Sequence, residues 1–262
     1  QNLFSDWIAG RPLSIHSLQE VLGKLGRHLL PESQCFAAWG HLLRWHAEPW
    51  PTQEWVYAMN NMMAELYEKA QFGILPFSID RTSLGWFIYA PQGKFPHPEE
   101  ALRLLNQAYL AISQHLPCEI AFYVTPVVPL KELNGQASLL LDAKQNNVLR
   151  ERGIFRPTHR SDRLHVEKLL DTVQLRRWES LLSQGLGDGV EEEALGYLDS
   201  LVNSGDMDQR VLRNFWVQFQ QVGLNAARTL ELESPGLLAA IEQGDSASSL
   251  PEIQAALKDS LV

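Results

Sequence analysis

Residues 78–91, with the sequence SIDRTSLGWFIYAP, constrain the fold most strongly, because they form a pattern of two short strands that turn back at 81–83. The alternating side chains of one face are Ile79, Leu84, Trp86, Ile88 and Ala90, and those of the other face are Phe87 and Tyr89. A strand with one solvent-exposed face alternates apolar and polar residues. A hairpin that is apolar on both faces therefore predicts a place in the middle of a sheet.

The segments around this hairpin alternate between strand-like and helix-like patterns. Dense apolar stretches predict strands over 34–45, 72–80, 83–90 and 118–126. Helical spacing predicts helices over 2–10, 14–30, 51–70 (with Thr52 as N-cap), 98–116 and 130–151. The resulting order, β-α-β-β-α-β, predicts an α+β fold with a four-stranded antiparallel, ferredoxin-like sheet and helices on one face.

The pattern changes at Gly153, after which a polar connector containing proline precedes a stretch without strand-like segments. Helices are predicted over 162–184, 189–203, 208–230, 234–243 and 251–260, which together form an all-α helical bundle. The sequence therefore predicts three parts: a helical lead-in over 1–32, an α+β domain over 33–155 and a helical subdomain over 156–262.

Composition argues against several classes of protein. Acidic residues outnumber basic ones by 31 to 22, and the net charge of −9 opposes a nucleic-acid interface of the chain's own. The two cysteines, Cys35 and Cys118, lie in apolar segments and are expected to be reduced thiols. No run reaches the roughly 18 apolar residues of a membrane helix. The start, QNLFSDWIAGRP, lacks the pattern of a secretory signal and an initiator Met, so we expect a segment of a longer cytoplasmic protein.

Motifs for catalysis or metal binding are absent from the sequence. His41 and His46 are five residues apart in a predicted strand, and neither HExxH nor CxxC occurs. The glycine-rich stretch over 185–193 follows a helix and precedes three glutamates, so it is interpreted as a turn capped by Asp188 rather than a phosphate loop. We therefore expect no catalytic residue, no metal and no cofactor.

A long predicted helix near the end carries a broad apolar stripe. Its members, at helical spacing, are Val211, Phe215, Trp216, Phe219 and Val222. Such a stripe fits either packing inside the helical half or a homodimer face, and both readings remain open.

Three stretches support a family resemblance: LFSDWIAGRPLSIHSLQEVLGKLG (3–26), AFYVTPVVPLKELNGQASLLLDAKQNN (121–147) and LLSQGLGDGVEEEALGYLDSLV (181–202). In this order they resemble the central region of YesN-type two-component response regulators of the AraC family. Those proteins carry a receiver, a degenerate GGDEF-like domain and a pair of helix-turn-helix motifs. The resemblance implies a signal-transmitting middle region, with receiver and helix-turn-helix domains as partners in the parent chain. DNA would be contacted only through that helix-turn-helix domain.

Active members of the GGDEF family hold metal and GTP with acidic residues on the first strand and in the hairpin turn. Here HLLRW (41–45) and DRTSLGWF (80–87) stand at those places, and Asp80 is the only carboxylate between them. Several oxygen ligands are needed for such a metal site, so the resemblance implies a protein without catalytic activity. As an alternative, a sugar or nucleotide receptor would use a ligand surface comprising Arg44, Trp45, Asp80, Arg81 and Trp86.

Overall fold

The structure is a computed structural model that describes residues 3–8, 10–24, 26–93, 95, 97–157, 170–230 and 249–261, with isolated residues 239, 242, 244 and 247. It divides into two compact units. The first, the sheet unit, comprises Gln1–Lys144 and Glu151–His159. The second, the helical unit, comprises Gln145–Arg150 and Arg160–Val262. Compared with the three parts expected from sequence, the lead-in belongs to the sheet unit and a six-residue segment before residue 151 belongs to the helical unit.

The sheet unit contains six strands and the helices around them. The strands are β1 (Gln34–Trp45), β2 (Gly73–Asp80), β3 (Ser83–Tyr89), β4 (Cys118–Val124), β5 (Val128–Pro129) and β6 (Gly153–Phe155). The helices are α1 (Leu3–Ile8), α2 (Ile15–Lys24), α3 (Thr52–Lys69), α4 (Pro98–His115), a 3-10 helix (Leu130–Gln136) and α5 (Ala137–Asn146).

The sheet is mixed, so the prediction of a four-stranded antiparallel sheet is wrong. Its order is β2-β3-β1-β4-β6, and β5 pairs with β1. The pairs β2–β3, β3–β1 and β1–β4 are antiparallel, whereas β6 runs parallel to β4 with Ala121 opposite Gly153. β5 and β6 have two and three residues, which is too short to show a period-two pattern in the sequence.

Helices cover both faces of the sheet, which also corrects the prediction of helices on one face. Phe36 and Ala38 of β1 pack with α3 and α4 in one cluster. Cys35 and Ala37 point the other way and pack with α1, α2, the 3-10 helix and α5. The lead-in is therefore part of the core, and Trp7 of α1 is buried there.

The hairpin formed by β2 and β3 has one interior strand and one edge strand. β3 lies between β2 and β1, and all seven of its residues are buried, as its pattern predicts. β2 lies at the edge of the sheet, where Pro76 is tolerated because an edge strand leaves one row of N–H groups without a ladder partner. Gly85 of β3 leaves room for the ring of Phe77 on β2, which a Cβ atom would overlap.

The helical unit consists of α6 (Thr172–Ser183), α7 (Gly187–Asn203), α8 (Gln209–Thr229) and α9 (Leu250–Leu261) among the described residues. Asp171 and Asp208 cap α6 and α8 by accepting hydrogen bonds from the backbone N–H groups of Val173 and Val211. Residues 162–169 and most of 234–243, where helical structure was predicted, lie outside the described residues.

Several predicted helix boundaries differ from the structure, and the helix predicted over 14–30 ends at Lys24. Thr52 is the first residue of α3, after Pro51 as N-cap, and Asp188 lies in the first turn of α7, after Leu186 as N-cap. The helix predicted over 130–151 is a 3-10 helix followed by α5, which ends at Asn146. Gly135 lowers helical propensity in the 3-10 segment.

None of the described helices combines the length and the apolar character that crossing a bilayer requires.

Candidate functional site

The turn between β2 and β3 is built around Asp80. Its Oδ1 atom accepts hydrogen bonds from the backbone N–H of Thr82 at 2.7 Å and from the Thr82 hydroxyl at 2.9 Å. Aspartate suits this position because its short side chain can bond the backbone two residues ahead. The N–H of Leu42 in β1 donates to the Thr82 carbonyl at 2.8 Å, which fixes the turn beside the centre of the sheet.

Electrostatics keep the Asp80 carboxyl ionised. Partial burial would raise its pKa, but hydrogen bonds from Thr82 and Ser83 and the charge of Lys144 outweigh burial and hold the pKa below its ordinary value. Ser83 also contacts His41 of β1, with 2.8 Å between its Oγ and the His41 Nδ1. The Asp80 carboxylate therefore stabilises the turn through its hydrogen bonds with Thr82. The described residues contain no group of three or more His, Cys, Asp or Glu side chains suited to a metal ion.

Trp86 is fully buried although the ligand surface includes it. Its side chain packs on the α3 and α4 side of the sheet, 5.7 Å from the Phe122 ring between centroids. Its indole N–H donates to the Asn60 Oδ1 atom at 2.9 Å. A ligand on the surface of this structure does not reach Trp86.

The other four residues of the ligand surface lie toward the end of β1. Asp80 and Arg81 are exposed in the turn beside it, and Arg44 and Trp45 are its last two residues. Trp45 packs on the α3 and α4 side and stacks on Trp50, with 6.4 Å between ring centroids. The structure therefore brings a cation and an aromatic pair to the same strand end.

Arg44 belongs to a group of basic side chains around Glu119 of β4, and we call this group together with the carboxylate the Glu119 cluster (Arg44, His46, Glu119 and Arg152). The guanidinium of Arg44 bonds Glu119 at both oxygens, with Nε 2.7 Å from Oε2 and Nη2 2.9 Å from Oε1. His46 Nε2 and Arg152 Nη1 lie 3.7 and 3.8 Å from Oε1. Hydrogen bonding by Arg44, aided by the other charges, lowers the pKa of the Glu119 carboxyl against the effect of burial.

Sequence reasoning found Arg44 but missed the other three members. A register shift in β1 between Leu42 and Arg44 places Arg44 opposite Glu119. Arg152 precedes β6, whose parallel pairing with β4 brings it to the same carboxylate. These pairings join residues 75 and 33 positions apart, so only the strand register shows them.

The apolar stripe of α8 lies in the core of the helical unit. Phe215, Trp216, Phe219 and Val222 are each 2 or 3% exposed, and Val211 packs against the same cluster. The Phe215 ring lies 6.4 Å from Trp178 of α6 and 6.1 Å from Phe219 between centroids. Side chains used in this way stabilise the bundle and are not available to a second copy of the chain unless the core opens.

The described site offers the exposed guanidiniums of Arg44 and Arg152, a Glu119 carboxylate paired with Arg44, the ionised carboxylate of Asp80 and a stacked aromatic pair. Such a set suits the binding of an anionic molecule rather than metal-assisted chemistry. No protein-family model matches the chain, and no curated protein matches it.

Proposed function

We propose that this chain is a non-catalytic regulatory module that transmits a signal to a helix-turn-helix domain, as the central region of YesN-type response regulators of the AraC family does. Its partners in that role are a receiver and a helix-turn-helix domain of the same polypeptide, and DNA is reached only through the latter. The observation that carries the proposal is the path of the chain between residues 144 and 151.

This path, which we call the crossing segment (145–150), belongs to the helical unit although the residues on both sides of it belong to the sheet unit. Val148 is 1% exposed and packs in the core of the helical unit. Its carbonyl accepts a hydrogen bond from the N–H of Leu250 at 2.8 Å, and Arg150 forms an ion pair with Glu252. The segment is therefore anchored to α9 at two points.

The crossing segment is separated by only two residues, Glu151 and Arg152, from β6, a strand of three residues. A short strand at the edge of a sheet has few hydrogen bonds to hold it. Burial of a valine contributes about 1.5–3 kcal/mol, which is comparable with the contribution of a few backbone hydrogen bonds. A rearrangement of the helical unit that releases Val148 would therefore change the strand that follows. This chain path supports a role in transmission.

The hairpin turn supports the non-catalytic part of the proposal. In an active cyclase, acidic side chains of the first strand and this turn hold metal and nucleotide. The corresponding stretch of β1 here carries Arg44, which is bonded to Glu119, and Asp80 is engaged by Thr82. Turnover of GTP, or tight binding of promoter DNA, by this chain would overturn the assignment.

A cytoplasmic location is part of the same proposal. The free thiols of Cys35 and Cys118 are in keeping with a reducing compartment. A homodimer, if the regulator forms one, would use side chains other than the buried stripe of α8.

Hydrogen exchange with the Val148→Ser variant tests transmission. Placing a hydroxyl in the helical core should loosen the crossing segment and speed exchange of the amides in β6, at 153–155. Leu201→Ser is the matched control, because Leu201 is also buried in the helical core but lies on α7. Faster exchange in β6 with both variants, or with neither, would contradict the proposal.

The second candidate, a small-molecule receptor, is favoured by one observation. Arg44 is 68% exposed at its side chain, and Trp50, stacked on Trp45, is 36% exposed. A rise in melting temperature with a sugar or nucleotide that disappears in Arg44→Gln would support a receptor.

A further inference from the structure

The Glu119 cluster contains more positive charge than its carboxylate neutralises. Arg44 alone occupies both oxygens of Glu119, so the charge of this pair is already balanced. Arg152 and His46 are held nearby at 3.8 and 3.7 Å, beyond a good hydrogen bond to the same Oε1 atom. The donors of these two side chains are therefore only weakly used by Glu119.

These three basic side chains are also accessible. The side chains of Arg44, Arg152 and His46 are 68, 63 and 50% exposed, whereas that of Glu119 is 11% exposed. The Glu119 carboxylate is thus more buried than the basic side chains around it, and it orients Arg44 through two hydrogen bonds. In a chain with a net charge of −9, two arginines around one carboxylate form a local excess of positive charge.

The geometry points to a binding site for a phosphate dianion, free or as a phosphomonoester, formed by Arg44, Arg152 and His46 with Glu119 as the positioning residue. A phosphate offers several acceptor oxygens, which match the fixed fork of a guanidinium better than a point charge does. The guanidiniums of Arg44 in β1 and of Arg152 just before β6 can then share one ligand. Nothing in this site depends on the function proposed above.

The site has a consequence that does rest on the proposed function. Arg152 precedes β6, and Arg150, two residues earlier, forms an ion pair with Glu252 in the helical unit. A phosphate that bridges Arg44 and Arg152 would hold the start of β6 against β1 and β4. Ligand binding would then bias the chain path that continues into the crossing segment.

The test is titration calorimetry of the whole chain with inorganic phosphate and, separately, with phenyl phosphate. We expect saturable binding with a dissociation constant of about 1 mM or tighter for at least one of them. Arg152→Gln and Arg44→Gln should each weaken binding about tenfold or more. Tighter binding of the ester by a similar factor would assign an organic phosphate, and tighter binding of inorganic phosphate by that factor would assign free phosphate.

Arg103→Gln is the matched control, because Arg103 is an exposed arginine of α4 paired with Glu100. It should leave phosphate binding unchanged. Far-ultraviolet circular dichroism and the melting temperature verify that each variant is folded. Absence of saturable binding in the unmodified chain, or an equal loss in Arg103→Gln, would overturn the site.

Hydrogen exchange with and without phosphate separates the site from its regulatory consequence. Protection of β6 and the crossing segment by phosphate would support both. Saturable binding without that protection would leave the site in place and overturn the consequence, whatever the Val148→Ser variant shows.

Discussion

The indole N–H of Trp86 in β3 donates a hydrogen bond of 2.9 Å to the side-chain oxygen of Asn60 in α3. Trp86 has no exposed surface, so its indole N–H cannot form a hydrogen bond with water. This bond joins β3, a strand whose seven residues are all buried, to α3. It satisfies the one polar hydrogen that the Trp86 side chain carries into the core.

Asn60→Leu should therefore destabilise the fold by about 1–3 kcal/mol, because it leaves the buried N–H of Trp86 without its acceptor. Chemical denaturation measures the loss. Asn61→Leu is the control, since Asn61 is the exposed neighbour in α3. Equal losses for the two variants would contradict the role given to this hydrogen bond.

The Asp80 turn should make stability depend on pH in the acid range. The folded state lowers the pKa of Asp80, so its contribution is present above the pKa of the unfolded chain and is lost as pH falls through the folded pKa. Asp80→Asn should cost about 0.5–1 kcal/mol near neutral pH, discounted for exposure of the group, and less below about pH 4. Urea unfolding at several pH values measures this difference.

Asp142→Asn, at an exposed position of α5, provides the comparison. Because this variant keeps the Asp80 turn, it should retain the acid-range loss of stability that Asp80 causes in the unmodified chain. If Asp80→Asn retained the same loss, the hydrogen bonds of Thr82 and Ser83 would not be what lowers the pKa.

Gly85→Ala should destabilise the hairpin, because the new Cβ atom would overlap the ring of Phe77. Phe77 is itself stacked on Phe4, so its ring cannot move without losing that contact. A cost of about 1–3 kcal/mol is expected for overpacking of this kind. Gly135→Ala, where a Cβ atom meets nothing within 4 Å, should be neutral or slightly stabilising.

The cysteines should resist alkylation in the native protein. Burial raises the pKa of Cys35 to about 12 and that of Cys118 to about 11, so little thiolate forms at neutral pH. Iodoacetamide labelling followed by mass spectrometry should show both thiols unmodified until urea is added. A cysteine placed at the exposed Ser138 of α5 should react quickly, and rapid native labelling of Cys35 would contradict its burial.

Phe219→Ala should separate the two readings of the α8 stripe. As a buried core residue, Phe219 should contribute about 3–5 kcal/mol, so its truncation should lower the melting temperature of the chain at every concentration. Val217→Ala, at a 54% exposed position of the same helix, should change stability by less than about 0.5 kcal/mol. Sedimentation that shows a dimer converted to a stable monomer by Phe219→Ala would favour the dimer reading instead.

Sequence patterns predicted the longer elements well. The strand predicted over 34–45 is confirmed as β1, and the helix predicted over 98–116 is confirmed as α4 to within a residue. Their patterns are local, since the apolar side chains that encode each element lie within that element; those of β1 face the clusters on both sides of the sheet, and those of α4 face one cluster. β6 escaped prediction because a strand of three residues becomes visible only through its pairing with β4.

The candidate site was predictable only in part, for the same reason. Arg44 and Asp80 stood out because they occupy places where acidic residues were expected. No comparable sequence signal marked Glu119 and Arg152. Their proximity to Arg44 depends on the register shift in β1 and on the parallel pairing of β6 with β4. The burial of Trp86 was also not evident, because an aromatic residue in a strand can face either a core or a ligand.

The crossing segment limits how the chain can be divided into fragments. A single cut between the sheet and the helices, near residue 156, leaves 145–150 in the sheet fragment, separated from the helical unit to which it belongs. Val148 would then be an exposed apolar side chain in the sheet fragment, and the core of the helical fragment would lack it. The two units are therefore not interchangeable parts, and exchange of one for a foreign domain at a single junction would damage both.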